Sequence, residues 1–443
     1  MAATSAMTTQ VVLIFLIMAA AYAIAKARRL SVELSILAAA VAGGLAGAFF
    51  KTPPLTDLPR HLVEGTFPYL DVMLVFSTAT IFMAIVGESG GVNYVVRGTI
   101  RLFYNVRFAA LFVLMIIVLI PGALTGAGSV SLLVVGTPVA LALGHLGIRP
   151  RMVAAMMFIL AGLSAAAPPV NIWAMILCAG TAIPYVGFEF TLGIPVLILG
   201  TFTTLFYGWK REGRSTKAET LARLPEVPTG MTWWRVLLPF LAFFGTIAAS
   251  RIWPFGAPIL GLPLQFAVAA AVALAVSPKR INLWALSRTT MQRLLPLLAT
   301  MIVVGMLQQV MTATGVRGLL SYLVISAPLV LLYILLAVII PVSEGVLTYG
   351  AAAILGIPLV WFFDSIGLHA TVVIAGLSLL WPLGDGLPPT ALIGRLSVMV
   401  SDYKESYRSF LKATWLPWLV ITVTAILMII FSAKLSFLVR WSM

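Results

Sequence analysis

The chain is a succession of long apolar runs joined by short loops, and this pattern limits its fold more than any other feature. Hydrophobic residues make up 61% of its 443 residues, and charged residues only 9%. A water-soluble domain carries about a quarter charged residues, whereas a membrane-spanning helix needs about 20 mostly apolar ones. The runs cover residues 11–25, 31–50, 71–87, 107–145, 152–183, 192–209, 233–250, 260–276, 294–311, 321–366, 370–396 and 413–437. They predict an all-α polytopic membrane protein.

The rest of the composition excludes several classes of protein. The single cysteine, Cys178, cannot form an intramolecular disulfide, and the three histidines lie far apart in the sequence, which argues against a zinc site. The sequence contains no nucleophile elbow, Walker A loop or dinucleotide-binding glycine motif. The net charge of +14 comes from Lys and Arg in short loops, where basic residues set membrane topology. We therefore expect neither an enzyme nor a nucleic-acid-binding protein, and no cofactor.

The basic loops orient the runs in the bilayer. Clustered Lys and Arg occupy six loops, at residues 26–29, 97–107, 149–151, 210–223, 279–293 and 395–412. The positive-inside rule places these loops in the cytoplasm, and the less basic loops 51–70, 184–191 and 251–259 outside. We expect a multi-pass protein of a bacterial inner membrane, with the polar segment 210–232 as a cytoplasmic linker between two halves.

Two runs cannot be single crossings under this topology. Segment 107–145 begins and ends at cytoplasmic loops, yet it is short for two helices of about 20 residues and a turn. It predicts a re-entrant hairpin with its tip near residues 125–129. Segment 321–366 predicts a second hairpin that enters from outside, with its tip near residues 341–345. Such backbone is tolerated at membrane depth only when it is buried in protein or lines a wet cavity.

The sequence repeats itself at one offset. Sliding the chain by 220 residues aligns these pairs without a gap: Pro121 with Pro341, Gly136 with Gly356, Pro138 with Pro358, Gly147 with Gly367, and Pro168–Pro169 with Pro388–Pro389. The two copies have opposite predicted orientations, so they form an inverted-topology repeat, which is typical of secondary transporters. The predicted domains are N-terminal scaffold helices 1–70, a first repeat 71–209, the linker 210–232 and a second repeat 233–443.

Each Pro–Pro pair lies inside an apolar run and predicts a broken helix, in residues 152–183 and 370–396. Proline removes a backbone donor and clashes with the preceding turn, so a pair of prolines interrupts a helix. Freed carbonyls at such breaks bind cations, and the N-termini of half-helices attract anions. The predicted cation-binding residues are Gly126, Gly128, Ser164, Pro168, Ser343, Glu344, Gly384, Asp385 and Pro388.

Two carboxylates within the apolar runs are the main candidates. A carboxylate at membrane depth is costly and usually functional, so Asp385 is expected to coordinate a coupling cation or to carry a proton. The alternative is that Asp385 caps a half-helix. Glu344 is placed at the second hairpin tip, either as a proton carrier or gate, or equally as a solvated carboxylate with no partner.

Hydroxyl, amide and guanidinium groups near the tips and breaks suit an anionic substrate. The predicted substrate-binding residues are Thr125, Ser129, Asn171, Thr348, Thr390 and Arg395. Asn171 offers both a donor and an acceptor, whereas each hydroxyl bonds its own helix backbone as readily as a ligand. Arg395 would pair with a substrate carboxylate, although an arginine in this position more often extends to the cytoplasmic surface.

The small-residue tip (Gly126, Gly128, Ser129), the Gly-x-Pro segment, the basic loop and the Pro–Pro break, repeated in the second half, resemble one known family. They are similar to the large membrane subunit of tripartite ATP-independent periplasmic (TRAP) transporters, over roughly residues 71–435. The resemblance implies a scaffold and a mobile transport domain that works as an elevator. It implies symport of a C4-dicarboxylate-like organic anion with Na⁺, or alternatively H⁺. It also implies a small four-helix membrane subunit and a periplasmic substrate-binding protein as partners.

Two other interpretations of the same pattern remain. A single-component, ion-coupled anion or dicarboxylate carrier of the same superfamily would share the repeat and need no partner protein. A channel would also use re-entrant loops, but channels usually build their filters from several subunits.

Overall fold

The computed structural model describes residues 2–210, 213, 215–253, 256 and 260–442, and all regular structure in these residues is helical. The helices of the first half are α1 (Ala2–Ala27), α2 (Val32–Phe49), α3 (Leu58–Glu64), α4 (Leu70–Glu88), α5 (Gly91–Phe103), α6 (Arg107–Thr125), α7 (Gly128–Ser131), α8 (Thr137–His145), α9 (Pro150–Ala166), α10 (Ile172–Thr181), α11 (Phe188–Gly208) and α12 (Lys217–Arg223). A π-helical turn, Leu132–Gly136, joins α7 to α8.

The second half repeats this series. Its helices are α13 (Trp233–Ile252), α14 (Leu262–Val276), α15 (Leu283–Ala313), α16 (Val316–Ser326), α17 (Leu329–Leu347), α18 (Ile357–Ser365), α19 (Ala370–Gly384), α20 (Leu392–Val400), α21 (Tyr407–Ala413), α22 (Trp415–Ile430) and α23 (Phe437–Ser442). A second π-helical turn, Ala352–Gly356, precedes α18, and a short 3-10 helix, Lys434–Ser436, precedes α23.

The helices are long and apolar enough for a polytopic membrane protein, as the composition predicts. In the described part of the chain nine helical segments have the length and hydropathy of a membrane span. The pair α21 and α22, bent by 51° at its break, makes a tenth if it is one span. The multi-pass, all-α prediction is therefore confirmed.

The internal repeat predicted from the sequence is present in the backbone. The two π-helical turns begin at Leu132 and Ala352, and α9 and α19 begin at Pro150 and Ala370, which are all 220 residues apart. Gly147 and Gly367, which precede α9 and α19, both have a left-handed φ, of 82° and 84°. The two halves thus share irregular features as well as regular helices.

Both hairpins form, but the second differs from its predicted bounds. The first hairpin turns at Gly126, whose φ is 70°, between α6 and α7, which confirms its predicted tip. The second turns at Thr348, whose φ is 53°, so the tip predicted at residues 341–345 was wrong. Residues 316–326 are a separate helix, so this hairpin begins at Leu329 and not at residue 321.

The arms of the hairpins are longer than the sequence analysis allowed. The first has arms of 19 and 18 residues, about 27 Å each at 1.5 Å per residue. They fit into segment 107–145 because the turn itself takes only two residues, Gly126 and Ala127. The argument that this segment was too short for two helices was therefore wrong, although the hairpin itself is correct.

Each Pro–Pro pair separates two helices, so both predicted broken helices are confirmed. Residues 167–171 separate α9 from α10, and residues 385–391 separate α19 from α20. Both Pro–Pro peptide bonds are cis. Every residue of α9 from Val153 to Ala166 is buried. A helix that is apolar all round belongs in a protein core, and α9 and α19 pack side by side at the centre of the molecule.

Two helix pairs are exchanged between the halves. The pair α1–α2, from the first half, packs on α15 of the second, and the pair α13–α14 packs on α4 of the first. The face of α2 that becomes buried consists largely of small residues, including Ala39, Ala40, Gly43 and Gly47. The domain boundaries predicted from the sequence stay a prediction.

The segment between the halves contains an ordered helix that contacts α5. Thr216 and Glu219 form a reciprocal capping box at the start of α12. Arg97 of α5 donates to the carbonyls of Leu224, at 2.8 Å, and Pro225, at 3.2 Å. Residues 211, 212 and 214 of the predicted linker, and most of the predicted outer loop 251–259, lie outside the described residues.

Candidate functional site

Each hairpin is joined to its own broken helix by a backbone hydrogen bond, from donors at equivalent positions of the repeat to acceptors two residues out of register. In the first half, the N–H of Val170 donates to the carbonyl of Ala123 at 3.0 Å. In the second half, the N–H of Thr390 donates to the carbonyl of Gly345 at 3.3 Å, and the Thr390 hydroxyl donates to the same carbonyl at 2.9 Å. Hairpin and break therefore form one unit in each half.

A close helix crossing lies beside each of these bonds. In the first half, a Cβ on Gly122 of α6 would overlap Ser164 Oγ and lie 2.5 Å from Ser164 Cβ. In the second half, a Cβ on Gly384 of α19 would overlap the Pro341 carbonyl and lie 2.6 Å from Glu344 Cβ. The glycine is on the hairpin in the first crossing and on the broken helix in the second. In the second crossing the hairpin residue next to the glycine is a carboxylate, Glu344, whereas the residue 220 positions earlier is Leu124.

The second half of each broken helix reaches the opposite hairpin. Trp173 of α10 donates its indole N–H to Glu344 Oε1 of the second hairpin at 3.0 Å. Ile393 of α20 reaches the first hairpin, where its Cδ1 would be 2.7 Å from a Cβ on Gly128. The two breaks and the two hairpins therefore meet in one central region.

Glu344 is fully buried in this region and is only half satisfied by the protein. Its exposure is 0%, and within the described residues its Oε2 atom has no hydrogen-bond partner. Trp173, the donor to the other oxygen, packs against Tyr349 with ring centroids 5.0 Å apart. Glu344 is thus not the solvated tip carboxylate that the sequence analysis left open, because it lies within α17, four residues before Thr348.

Asp385 lies directly after α19 and is adjacent to Gly384, the residue that Glu344 approaches closely. It is 5% exposed, and its backbone carbonyl accepts the N–H of Gly394 of α20 at 3.1 Å. The next residue, Gly386, accepts a hydrogen bond from the Tyr407 hydroxyl at 2.7 Å. The C-terminal cap position is unfavourable for a carboxylate, since the helix dipole is negative there. Asp385 thus occupies a cap position of α19, at the end where a carboxylate does not stabilise the helix, and the alternative that it caps a half-helix stays a prediction.

No basic side chain in the described part of the chain forms an ion pair with Glu344 or Asp385. A buried ionised carboxylate without a partner is costly, and two close together repel each other. The pair therefore needs a positive charge, either a proton or a bound cation. The described residues contain no cluster of three acidic, histidine or cysteine ligands, so a metal cation there would also need carbonyl or hydroxyl oxygens.

The predicted hydroxyl ligands mostly bond their own backbone. Thr125 Oγ1 donates to Pro121 at 2.7 Å, and Ser164 Oγ donates to Ala161 at 2.7 Å. Ser343 Oγ donates to Ile340 at 2.8 Å. Each oxygen keeps its acceptor capacity for a cation. Ser129 and Thr348 are half-buried near their hairpin tips.

Asn171 is placed at the first break, but its amide serves the backbone. Its Oδ1 accepts the N–H of Ala174 and its Nδ2 donates to Ala166, both at 2.9 Å. Its own N–H donates to the hydroxyl of Tyr185 at 2.9 Å, and that hydroxyl donates to Pro169 at 3.1 Å. Asn171 therefore closes the gap between α9 and α10, and a role in substrate binding stays a prediction.

The remaining predicted residues divide between the buried centre and the surface. Gly126, Gly128 and Gly384 are buried at close approaches of two backbones. Pro168 is half-buried, whereas Pro388 and Arg395 are exposed. The Arg395 guanidinium donates to the carbonyl of Pro389 at 3.1 Å. Its exposure agrees with the surface orientation favoured in the sequence analysis.

The sequence analysis missed the aromatic residues of this site. Tyr185 and Tyr407 donate hydrogen bonds to carbonyls at the first and second break. Trp173 follows the first break and packs against Tyr349. Only Trp173 gives a usable signal in the sequence. It lies in the middle of an apolar run, whereas tryptophans at run ends anchor the membrane interface. A buried indole N–H requires an acceptor, which predicts a polar partner at membrane depth.

Comparison with known proteins gives the fold but not the family. No family model and no curated protein matches this sequence. The Alcanivorax borkumensis YdaH transporter, whose structure is described as having an unusual topology, superposes with a TM-score of 0.57 at 15% identity, over 85% of this chain and 87% of its own. Neisseria gonorrhoeae MtrF, described as illuminating a class of antimetabolite efflux pumps, superposes with a TM-score of 0.61 at 13% identity, over 88% and 84%.

At these identities the likeness establishes the fold alone. Both structures are of transport proteins, which agrees with the prediction of a membrane-transporter fold. Neither is a TRAP large subunit, so the narrower resemblance to that family is not confirmed. The chain has the fold seen in the YdaH and MtrF transporters. In this chain, two helical hairpins and two broken helices surround a buried pair of carboxylates.

Proposed function

We propose that this protein is a secondary active transporter that couples movement of a small organic anion to a cation, H⁺ or Na⁺. The observation that carries the proposal is the Glu344–Asp385 pair, which is buried between a hairpin and two broken helices and has no basic ion-pair partner among the described residues. Half-helix ends and freed carbonyls at paired breaks are where transporters of this architecture bind ions and substrates. The fold shared with YdaH and MtrF supports the same class of function.

We propose further that the chain works as a single-component carrier. In the TRAP interpretation a separate four-helix subunit completes the scaffold. Here the pair α1–α2 packs on α15 and the pair α13–α14 packs on α4. The chain itself therefore supplies additional helices to both halves of the repeat. The bacterial inner membrane, import rather than export, and a C4-dicarboxylate-like substrate stay parts of this proposal.

The test is uptake by the purified chain in proteoliposomes, with a panel of labelled organic acids and an imposed Na⁺ or H⁺ gradient. Saturable uptake driven by one gradient is expected, and Glu344→Gln or Asp385→Asn should abolish its dependence on that gradient. Glu405→Gln is the matched control, because Glu405 is exposed. Flux that does not saturate would indicate a channel. Uptake only after adding a membrane subunit and a binding protein would restore the TRAP interpretation.

Elevator movement is the proposed mechanism of alternating access, and one contact offers a direct test. Gly87 of α4 faces Val134 of the first hairpin, where a Cβ on Gly87 would lie 3.4 Å from Val134 Cγ1. Side chains at these two positions would be in contact, as an engineered disulfide requires. In a Cys178→Ala background, the Gly87→Cys/Val134→Cys pair should stop uptake on oxidation and release it on reduction.

A control pair separates movement from general damage. Gly162→Cys/Pro382→Cys joins α9 to α19, because a Cβ on Gly162 would lie 3.2 Å from Pro382 Cβ. Both helices belong to the body that is proposed to move, so oxidation of this pair should leave uptake intact. Full activity of an oxidised Gly87→Cys/Val134→Cys protein would refute movement at this interface.

A further inference from the structure

Two cavities meet along α5, one basic and one apolar, and Trp233 of α13 lines both. The basic cavity has a volume of about 520 Å³ and the apolar cavity about 370 Å³. We propose that together they form a binding site for one anionic phospholipid, with its phosphate at Arg97 and Arg101 and an acyl chain in the apolar cavity. This site is separate from the carboxylate pair and goes beyond the proposed transport function.

The basic cavity suits a phosphate group. Arg97 and Arg101 are four residues apart and so lie on the same face of α5, and both line the cavity. Arg97 is half-buried and held by the carbonyls of Leu224 and Pro225, while Arg101 is exposed. A guanidinium has five N–H donors, so Arg97 keeps donors for a ligand. Glu226 lines the same cavity but forms no ion pair with either arginine in the described residues.

The apolar cavity suits an acyl chain. Its lining residues are all uncharged, and only the indole of Trp233 can donate a side-chain hydrogen bond. The lining includes Pro121 of the first hairpin and Pro168 of the first break. Leu237 and Phe244 of α13 also line it and are 45% and 52% exposed. Their outer surface faces the region occupied by lipid, so a chain can enter sideways from the bilayer.

The junction of the two cavities lies where a lipid changes from polar to apolar. Trp233 is the first residue of α13 and is followed by Trp234, and tryptophan at a span end marks the membrane interface. The basic segment that contains Arg97 and Arg101 is predicted to face the cytoplasm, and anionic lipids of the cytoplasmic leaflet bind basic pockets there. A free phosphate would use only the basic cavity and leave the apolar one unexplained.

The proposed lipid lies between two groups of helices. Residues of α4, α5 and α13 form one wall of the apolar cavity, and residues of the first hairpin and the Pro168–Pro169 break form the other. An acyl chain would fill the gap between them without forming hydrogen bonds that movement must break. The lipid would therefore fill the interface and still allow the two groups of helices to move past each other.

The test is native mass spectrometry of the delipidated full-length protein titrated with phosphatidylglycerol, phosphatidylcholine of the same chains, and glycerol 3-phosphate. Phosphatidylglycerol should bind at least about tenfold more tightly than phosphatidylcholine, and glycerol 3-phosphate should not displace it. Arg97→Gln/Arg101→Gln should weaken phosphatidylglycerol binding about 30-fold, and Arg101→Gln alone about fivefold, from the usual contribution of each basic residue. Arg28→Gln/Arg29→Gln, at two exposed arginines, is the matched control and should change nothing.

A second variant tests the acyl end and keeps the arginines. A Cβ on Gly91 would lie 3.5 Å from Ser89 Oγ and 3.6 Å from Val236 Cγ2, so a Cβ is tolerated at this position, and both Gly91 and Val236 line the cavity. Gly91→Leu should weaken binding of both phospholipids. Equal affinity for the two phospholipids, displacement by glycerol 3-phosphate, or displacement by the transported organic acid would each overturn the proposal. The last two would identify a free-anion site and a substrate site respectively.

Discussion

The crossing of Gly122 and Ser164 gives a prediction that can be worked out from the structure. The Cβ of alanine at position 122 would lie 2.5 Å from Ser164 Cβ, whereas carbon atoms in contact are about 3.5–4.0 Å apart. The first hairpin and α9 would have to separate by about 1 Å. Overpacking of this kind costs about 1–3 kcal/mol, and the better helix propensity of alanine offsets up to about 1 kcal/mol. Gly122→Ala should therefore lower the free energy of unfolding by about 1–2 kcal/mol.

A second substitution tests whether this overlap is the cause. Ser164→Gly removes the opposing side chain and should cost about 1 kcal/mol by itself, mainly from glycine in a helix. If the two changes acted independently, the double variant would lose about 2–3 kcal/mol, the sum of these two costs. Ser164→Gly removes the two atoms nearest to the alanine Cβ but leaves the backbone carbon of residue 164 at 2.9 Å. We therefore expect the double variant to lose less than this sum, since residues in contact do not add.

The assay is equilibrium unfolding in mixed micelles, followed by tryptophan fluorescence, for the wild type, both single variants and the double variant. Gly144→Ala is the matched control, because a Cβ on Gly144 of α8 would meet nothing within 4 Å. It should be neutral or slightly stabilising. Additive losses in the double variant would refute the reasoning, because they would mean that the two residues do not press on each other.

Three further predictions concern side chains that form hydrogen bonds. Trp173→Phe removes the indole donor to Glu344, so the cation concentration for half-maximal uptake should change about tenfold, as expected for loss of one bond to a charged group. Tyr185→Phe removes the hydroxyl that bridges the first break at Pro169 and should lower the free energy of unfolding by about 1–2 kcal/mol, measured in mixed micelles. Helix α12 should lose protease protection as pH falls below about 4.5, the ordinary pKa of glutamate. Backbone and side-chain hydrogen bonds from Thr216 lower the pKa of Glu219. The stabilisation of α12 by the ionised Glu219 is therefore present above that pH and is lost as pH falls through the lowered pKa. Glu219→Gln should remove this pH dependence.

The tryptophan and tyrosine substitutions each have a control at an exposed residue of the same type. Trp415→Phe and Tyr322→Phe replace side chains that are 62% and 63% exposed, and both should leave uptake and stability unchanged. An unchanged cation dependence in Trp173→Phe would remove its hydrogen bond to Glu344 from the mechanism. Equal proteolysis of wild type and Glu219→Gln at every pH would show that the capping box does not hold α12.

The sequence predicts the breaks better than the turns, for a physical reason. Two adjacent prolines interrupt any helix, so both Pro–Pro pairs were interpreted correctly from local chemistry. A single proline does not necessarily end a helix in a buried hairpin arm. Pro121 and Pro341 lie inside α6 and α17, and each helix continues for several residues beyond its proline. The second tip was therefore placed too early, whereas Gly126 marked the first correctly.

The composition of the site depends on contacts that sequence spacing cannot give. Glu344 and Trp173 are 171 residues apart and belong to opposite halves of the repeat. A sequence pattern places Glu344 near a hairpin tip, but it does not tell which side of α17 it occupies. The side is decided by Gly384, which lets the two helices approach each other. Likewise, the role of Asn171 in closing the first break depends on Tyr185, which lies beyond α10.

The exchange of helix pairs has a consequence for how the protein is made. The chain between the end of α2 at Phe49 and the start of α15 at Leu283 is more than half of the protein. At a synthesis rate of about 5–20 residues per second, α1 and α2 wait roughly 10–50 s in the bilayer before their partner emerges. Their face of alanine and glycine exposes little polar surface and suits close helix packing in lipid. The pair can thus remain in the bilayer until α15 is inserted and then pack against it.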